Sequence, residues 1–406
     1  QPTILCSTVD QVGSRLLFRG YGISDSMKPV HAGLMGSDCL ILLDEAHLSE
    51  PFRQTLESIE RYRRPPWTER ESAPWGYVVL TATPAQREPT DFALEEDDYS
   101  HPELSRRLSA AKPAKLVLAR CRATDLVAHA AELVDCAWEK SGVVAIVVNR
   151  VALARRCHGI LLDRIQAKGR NAEAILLTGR TREVERRQLL DRYKHELLSG
   201  RSAPSRTLFV VATQCIEAGA DFDFDVLVTQ LAPLDALRQR FGRLNRMGRN
   251  PSAEGVIVAC PDEIGRRADD RLYGTRAKAT WEALQTLSDT VDFGILAMKS
   301  WLAEKNVAEL ISEPRDAPVL LPAHVDLLAE TSDASIDDPA PDPALFLHGT
   351  PDALPDVQIV WRADLRESDL SPEGVERARE ILSFMPPRAA EAIAVPIRAA
   401  REWLAD

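Results

Sequence analysis

The chain has 406 residues, 45% of them apolar, and a formal net charge of −11; at roughly 100–200 residues per domain it is too long for one compact core and predicts two or three. The acidic balance argues against a polybasic, histone-like binder but allows a local basic groove. No apolar run approaches the ~18 residues of a membrane span, no secretory leader is visible, and the seven cysteines form no CxxC, so a cytoplasmic protein with buried free thiols, no membrane partner and no zinc site is expected.

The first residue is Gln1 rather than Met, which reads as a cut or processed start, or a fragment. Residues 39–43 are a continuous apolar run ending at Asp44, the pattern of a fully buried parallel strand. A helix should follow, with Pro51 in its first turn and Phe52, Leu56 and Ile59 on one face. Residues 77–80 make the next strand, ending at Thr81. Residues 84–113 are polar and acidic and read as a long loop with a short helix. Alternation then resumes: strands at 116–118, 143–148, 174–177, 207–211, 226–229 and 256–259, and helices at 124–140, 151–168, 183–198 and 234–246. That order predicts an α/β fold with a parallel sheet covered on both faces. Residues 115–262 look like one complete lobe, and residues 1–113 like the later strands of another. Beyond Arg266 the pattern is helical to about Leu310, residues 329–356 have a linker's Asp, Pro and Ala content, and 357–361 and 373–384 read as a strand and a helix.

Chemistry-bearing residues cluster at strand ends, where parallel sheets bind ligands. Asp44-Glu45-Ala46-His47 follows the first apolar strand. One carboxylate there can hold Mg²⁺ and its neighbour can accept a proton from an attacking water; the plainer alternative is an acid pair at a helix start. Thr81-Ala82-Thr83-Pro84 ends the next strand, either as a coupling element or as a small-residue turn. Asn149 and Thr178-Gly179-Arg180 are candidates for contacting a nucleic-acid backbone, with Arg180 also readable as part of a solvated face. Residues 211–225 carry Thr213, Gly219 and Asp221, where Gly219 permits a tight path and Asp221 could bind ribose or orient an arginine. The most specific signal is Gln239-Arg240-Phe241-Gly242-Arg243-Leu244-Asn245-Arg246. Arg243 and Arg246, three apart, share one helix face and suit the charge that grows on a transferring phosphoryl group; the plainer alternative is a basic helix whose arginines pair with surface acids.

In their order these segments resemble motifs II to VI of superfamily 2 helicases. Ser7-Thr8-Val9-Asp10-Gln11, the stretch from Thr213 to Asp225, and the run from Gln239 to Arg249 are further similar to CRISPR-associated helicase-nucleases of type I systems. The region of Leu347-His348-Gly349 and Val360 to Leu365 resembles the subtype now called I-G. The resemblance implies two RecA-like parallel-sheet lobes, the first incomplete, then a mostly helical carboxy-terminal region. Its boundaries would be a partial first lobe at 1–113, a second lobe at 114–264, a helical accessory region at 265–328, an acidic linker at 329–356 and a terminal region at 357–406. It implies ATP and Mg²⁺ as cofactors, single-stranded DNA as the track and a CRISPR surveillance complex as partner. By the same resemblance Asp44 would hold the metal, Glu45 would be the base, and Arg243 and Arg246 would reach the γ-phosphate. Gln239, Asp221 and Gly219 would help bind nucleotide; His47, Thr81 and Thr83 would couple hydrolysis to movement; Thr8, Asn149, Arg180 and Thr213 would touch nucleic acid. Two departures stand out. The phosphate loop Gly-x-x-x-x-Gly-Lys-[Ser/Thr] does not occur in the sequence, so the chain alone is expected to hydrolyse ATP poorly, and no His-Asp nuclease pair occurs. Another superfamily 2 motor, or a non-catalytic binding module on the same scaffold, remains an alternative.

Overall fold

In the computed structural model, residues 3–69, 73–81, 94–266, 272–288, 290–303, 306–331, 341–351, 356–372 and 374–405 are described. The chain divides into two compact units, one of residues 1–87 and 313–355, the other of residues 88–312 and 356–406. Among the described residues no helix is long and apolar enough to cross a membrane.

In the first unit, strands β1 (Cys39–Leu43) and β2 (Trp75–Val79) pair in parallel. Only one face of β1 is covered: Ile41 and Leu43 are buried, whereas Leu40 and Leu42 are 63% and 62% exposed. The strand therefore differs from the fully buried one expected from its unbroken apolar run. The covered face packs on Phe52 and Leu56 of helix Glu50–Tyr62 and on Phe346 and Leu347 of helix Pro343–His348. Thr55 Oγ1 donates to the Phe346 carbonyl at 2.6 Å. Residues 341–351, inside the expected linker, thus form a helix with a buried apolar pair that belongs to this unit's core, while the neighbouring 332–340 and 352–355 lie outside the described residues.

The second unit holds a seven-stranded sheet. Its strands are β3 (Pro113–Leu118), β4 (Val143–Val147), β5 (Ala172–Leu177), β6 (Thr207–Ala212), β7 (Val226–Gln230), β8 (Glu254–Ala259) and β9 (Thr290–Asp292), in the spatial order β5-β6-β4-β7-β8-β3-β9. Every pairing is parallel except β3 with β9. The antiparallel edge strand β9 falls in a stretch that reads as helical, because three residues are too few to show a period.

The central strand shows why the fold is two-sided. Val143, Ala145 and Val147 enter one apolar cluster; Val144, Ile146 and Val148 enter the other. Successive side chains point to opposite faces, and here both faces are buried, so an unbroken apolar run is what the position requires. Helices Leu126–Trp138 and Val151–Lys168 cover one face, and Gly169, at φ +58°, ends the second of them in the left-handed region. On the other face lie Tyr193 and Leu197 of helix Glu183–Leu197, and Leu234, Leu237 and Phe241 of helix Leu234–Phe241.

That last helix is five residues shorter than the expected 234–246. The reason is a competing pairing. The Phe224 amide donates to the Arg243 carbonyl at 2.8 Å and the Asn245 amide donates to the Phe224 carbonyl at 2.9 Å. Residues 243–245 leave the helix to bridge Phe224, and Asn245 takes a left-handed φ of +45° at the bend. Residues 356–406 carry a two-stranded antiparallel pair, β10 (Asp356–Ile359) and β11 (Ile393–Pro396), besides helices Val375–Phe384 and Ile397–Ala405.

Candidate nucleotide and nucleic-acid site

In the first unit, Asp44 is exposed at the carboxyl end of β1, and its Oδ1 accepts the Glu45 amide at 3.0 Å. Glu45 takes a left-handed φ of +48°, a strained setting for a residue with a Cβ. The Leu80 amide donates to the Leu43 carbonyl, and the Ala46 amide donates to that of Leu80, which locks this turn to the end of β2. His47 Nδ1 lies 3.6 Å from Glu45 Oε2 and 3.4 Å from Thr81 Oγ1. One imidazole nitrogen thus bridges the acidic turn and the next strand end. Thr83 lies outside the described residues. Thr8 caps helix Val9–Leu16, its hydroxyl accepting the Gln11 amide.

In the second unit the arginine-rich run does not place its arginines as the sequence suggests. Arg243 and Arg246 do not share a helix face, because the helix stops at Phe241. Arg243 is buried, donating from Nε to the Ile216 carbonyl at 3.2 Å and from Nη2 to the Glu217 carbonyl at 2.9 Å. Arg246 is partly exposed and pairs with Asp221 at 2.7 Å. The two cations therefore differ in kind: one holds a loop, the other faces solvent beside a carboxylate.

The residue that organises this region is Arg240, which is fully buried. It donates to Glu217 Oε1 (2.8 Å), Thr229 Oγ1 (2.8 Å), the Gln230 carbonyl (3.1 Å) and Asn149 Oδ1 (2.8 Å). A buried guanidinium is tolerable only when its donors are paired, and this one joins the ends of β4 and β7 to the loop after β6. Its position three after Leu237 puts it on the helix's core-facing phase, a signal in the sequence that the flanking arginines obscure.

Several candidate nucleic-acid residues turn inward. Asn149 accepts from Arg240, donates from Nδ2 to the Leu231 carbonyl at 2.7 Å, and accepts at its own carbonyl from Gln214 Nε2. Thr213 is buried, with Oγ1 directed at Cys215 Sγ. Those side chains shape the strand ends rather than present themselves. Arg180 and Gly219 are exposed, Gly219 at φ +70°, and Gln239 is half-buried.

The acids from 221 to 225 alternate with buried Phe222 and Phe224, and each carboxylate has its own task. Asp221 holds Arg246. Asp223 Oδ1 accepts the Arg246 amide at 2.7 Å, and burial raises its pKa. Asp225 accepts from Arg201 Nη2 (2.7 Å), Asn250 Nδ2 (3.0 Å) and the Val143 amide (2.8 Å). Lys112, also buried, donates to the Phe241 carbonyl at 2.9 Å, and burial pushes its pKa down to about 8. The thiols are free, as expected, but only Cys157 and Cys260 are buried and Cys6 is exposed.

The mostly parallel sheet and its crossover helices define the class as a two-sided α/β fold. Residues 140–249 match the family described as "CRISPR-associated nuclease/helicase Cas3, C-terminal". A Cas3 nuclease/helicase of Methanothermobacter thermautotrophicus is 28% identical over 190 residues, 46% of this chain and 21% of that protein. The Escherichia coli K12 Cas3 endonuclease/helicase is 29% identical over 169 residues, 39% of this chain and 18% of that protein. Among solved structures, a CRISPR-associated protein gives a TM-score of 0.56 at 19% identity, covering 96% of this chain and 48% of the other. T. fusca Cas3 with AMPPNP gives 0.54 at 16%, covering 96% and 50%. Residues 140–249 are thus similar to the Cas3 C-terminal family and the fold is similar to that of solved Cas3 structures, while the chain spans about a fifth of the length of these two curated relatives.

Proposed function

We propose that this chain is part of an ATP-dependent single-stranded DNA translocase acting in CRISPR interference. The observation that supports it most is the arginine run, seated on the loop after β6 through Arg240 and Arg243, with Arg246 left accessible beside Asp221. A binding scaffold has no need to keep a solvent-facing arginine braced in this way. The names of these relatives, CRISPR-associated helicases or nuclease/helicases, support the same setting, with a surveillance complex as the proposed partner and the cytoplasm as the proposed location.

Asp44 suits Mg²⁺, since a hard cation prefers an exposed carboxylate oxygen and one of its two oxygens already faces the Glu45 amide. When bound, Mg²⁺ would offset charge on the phosphates of ATP. Glu45 is the base that receives the proton of the attacking water, and His47 links that carboxylate to Thr81. Arg246 supplies the finger cation, a role worth about 10³–10⁵ in rate where it has been measured. Arg243 is a positioning residue. Without the phosphate loop in its sequence, the 406-residue chain alone turns over ATP slowly. A second reading is a non-catalytic nucleic-acid-binding module on the same scaffold.

Hydrolysis by the full-length gene product, with poly-deoxythymidine or an RNA of equal length added, separates these readings. Stimulation by DNA and not by RNA supports the proposal. Equal stimulation by RNA points to another superfamily 2 motor, and nucleic-acid binding without hydrolysis points to the module.

A further inference from the structure

His129 is an anomaly of the second unit. It sits on helix Leu126–Trp138 with no exposed surface, and neither ring nitrogen reaches a partner at full hydrogen-bond geometry, although the Ala123 backbone lies near the ring. Buried imidazoles normally place at least one nitrogen on a partner, because stripping water from a polar group without replacing it is costly. What surrounds the ring is a set of metal-binding groups. A ring nitrogen of His129, Cys260 Sγ and a Glu263 carboxylate oxygen all lie within 4.8 Å of one another. A second thiol, Cys121, lies close enough to Cys260 for the two side chains to interact. Cys121 follows β3, and Cys260 and Glu263 follow β8, its parallel neighbour, so the sheet register itself gathers the four groups.

We propose that Cys121, His129, Cys260 and Glu263 form a structural zinc site in the second unit. One imidazole, two thiolates and one carboxylate are a tetrahedral nitrogen-sulfur-oxygen set of the kind Zn²⁺ takes. Binding forms two Zn–S bonds and releases two thiol protons to solvent, one each from Cys121 and Cys260. The half-exposed Cys121 marks the side from which an ion enters. Glu263 is held in place for this: Oε1 accepts Gln230 Nε2 at 2.7 Å and Oε2 accepts the Cys260 amide at 2.7 Å, while each oxygen keeps a second lone pair. Gln230 Oε1 in turn accepts the Asn149 amide at 3.0 Å. The ion would thus brace the same strand ends that Arg240 ties together. The sequence hides the site, since its ligands are spread over more than a hundred residues and no CxxC announces them.

The test is a titration of the chelator-stripped protein with Co²⁺ alone, followed by Zn²⁺. One cobalt per chain should bind with a thiolate charge-transfer band and tetrahedral visible bands, and Zn²⁺ should displace it and raise the thermal midpoint. Cys121→Ser, at a half-exposed position, should keep the fold while losing much of the charge-transfer band and weakening affinity by more than about ten-fold, the lower end of what even an outer-shell change costs. His129→Gln should do likewise, and Cys136→Ser should change nothing. A folded wild-type chain that gives no cobalt spectrum overturns the proposal. So does a spectrum that survives both Cys121→Ser and His129→Gln.

Discussion

Arg240 Nε donates to Glu217 Oε1 at 2.8 Å from a side chain with no exposed surface. This pair joins the helix of the arginine run to the loop after β6, and Thr229 and Asn149 occupy the remaining edges of the guanidinium. Removing one member of a buried, hydrogen-bonded pair strands the other. Arg240→Ala is therefore expected to destabilise the second unit by about 3–5 kcal/mol, read by urea denaturation. A loss below 1 kcal/mol would mean that the pair contributes little.

The division between Arg243 and Arg246 makes a second prediction. Arg243→Ala leaves the Ile216 and Glu217 carbonyls without their donors and should lower stability by about 1–3 kcal/mol. Arg246→Ala removes a partly exposed ion pair, worth roughly 0–1 kcal/mol. Thermal melts of the two variants should separate accordingly. Equal losses would contradict the different roles assigned to them.

Lys112 predicts a pH dependence. Its pKa falls from 10.5 to about 8 on folding, chiefly through burial. Between those two values the unfolded chain binds more protons than the folded one, so stability rises with pH across that window and is lost as pH falls through 8. Relative to Lys112→Met, the wild type should gain up to about 3 kcal/mol from pH 8 to pH 10.5. Denaturation midpoints of both proteins at several pH values check this, and parallel curves would refute it.

Gly142 tests the acid run. It has φ +86°, and a Cβ there would lie 2.4 Å from Asp225 Oδ2, the atom that accepts the Val143 amide and Arg201. Gly142→Ala should cost about 1–3 kcal/mol in backbone strain alone, again read by denaturation. An unchanged midpoint would show that this turn relaxes freely.

Much of this was legible from periodicity. Helix Val151–Lys168 has the bounds its pattern predicts, because Gly169 supplies an unambiguous stop. The central strands are apolar on both faces, so their runs could be read without knowing their neighbours. What could not be read depends on contacts distant in sequence. The early end of helix Leu234–Phe241 comes from a bridge to Phe224, and the inward turn of Asn149 from Arg240, ninety-one residues away. Residue type singled out the arginines in the run from Gln239, but not which one is buried, which one holds a loop and which one remains accessible. In the first unit the apolar run of β1 overstated burial, since Leu40 and Leu42 are bare.

The most direct test of the central claim is DNA-stimulated ATP hydrolysis by the full-length gene product beside its Glu45→Gln and Arg246→Ala variants. The account predicts activity in the wild type that both substitutions reduce by about a thousand-fold or more, with DNA binding and melting temperature retained. Full activity in either variant, or binding without hydrolysis in the wild type, would contradict it.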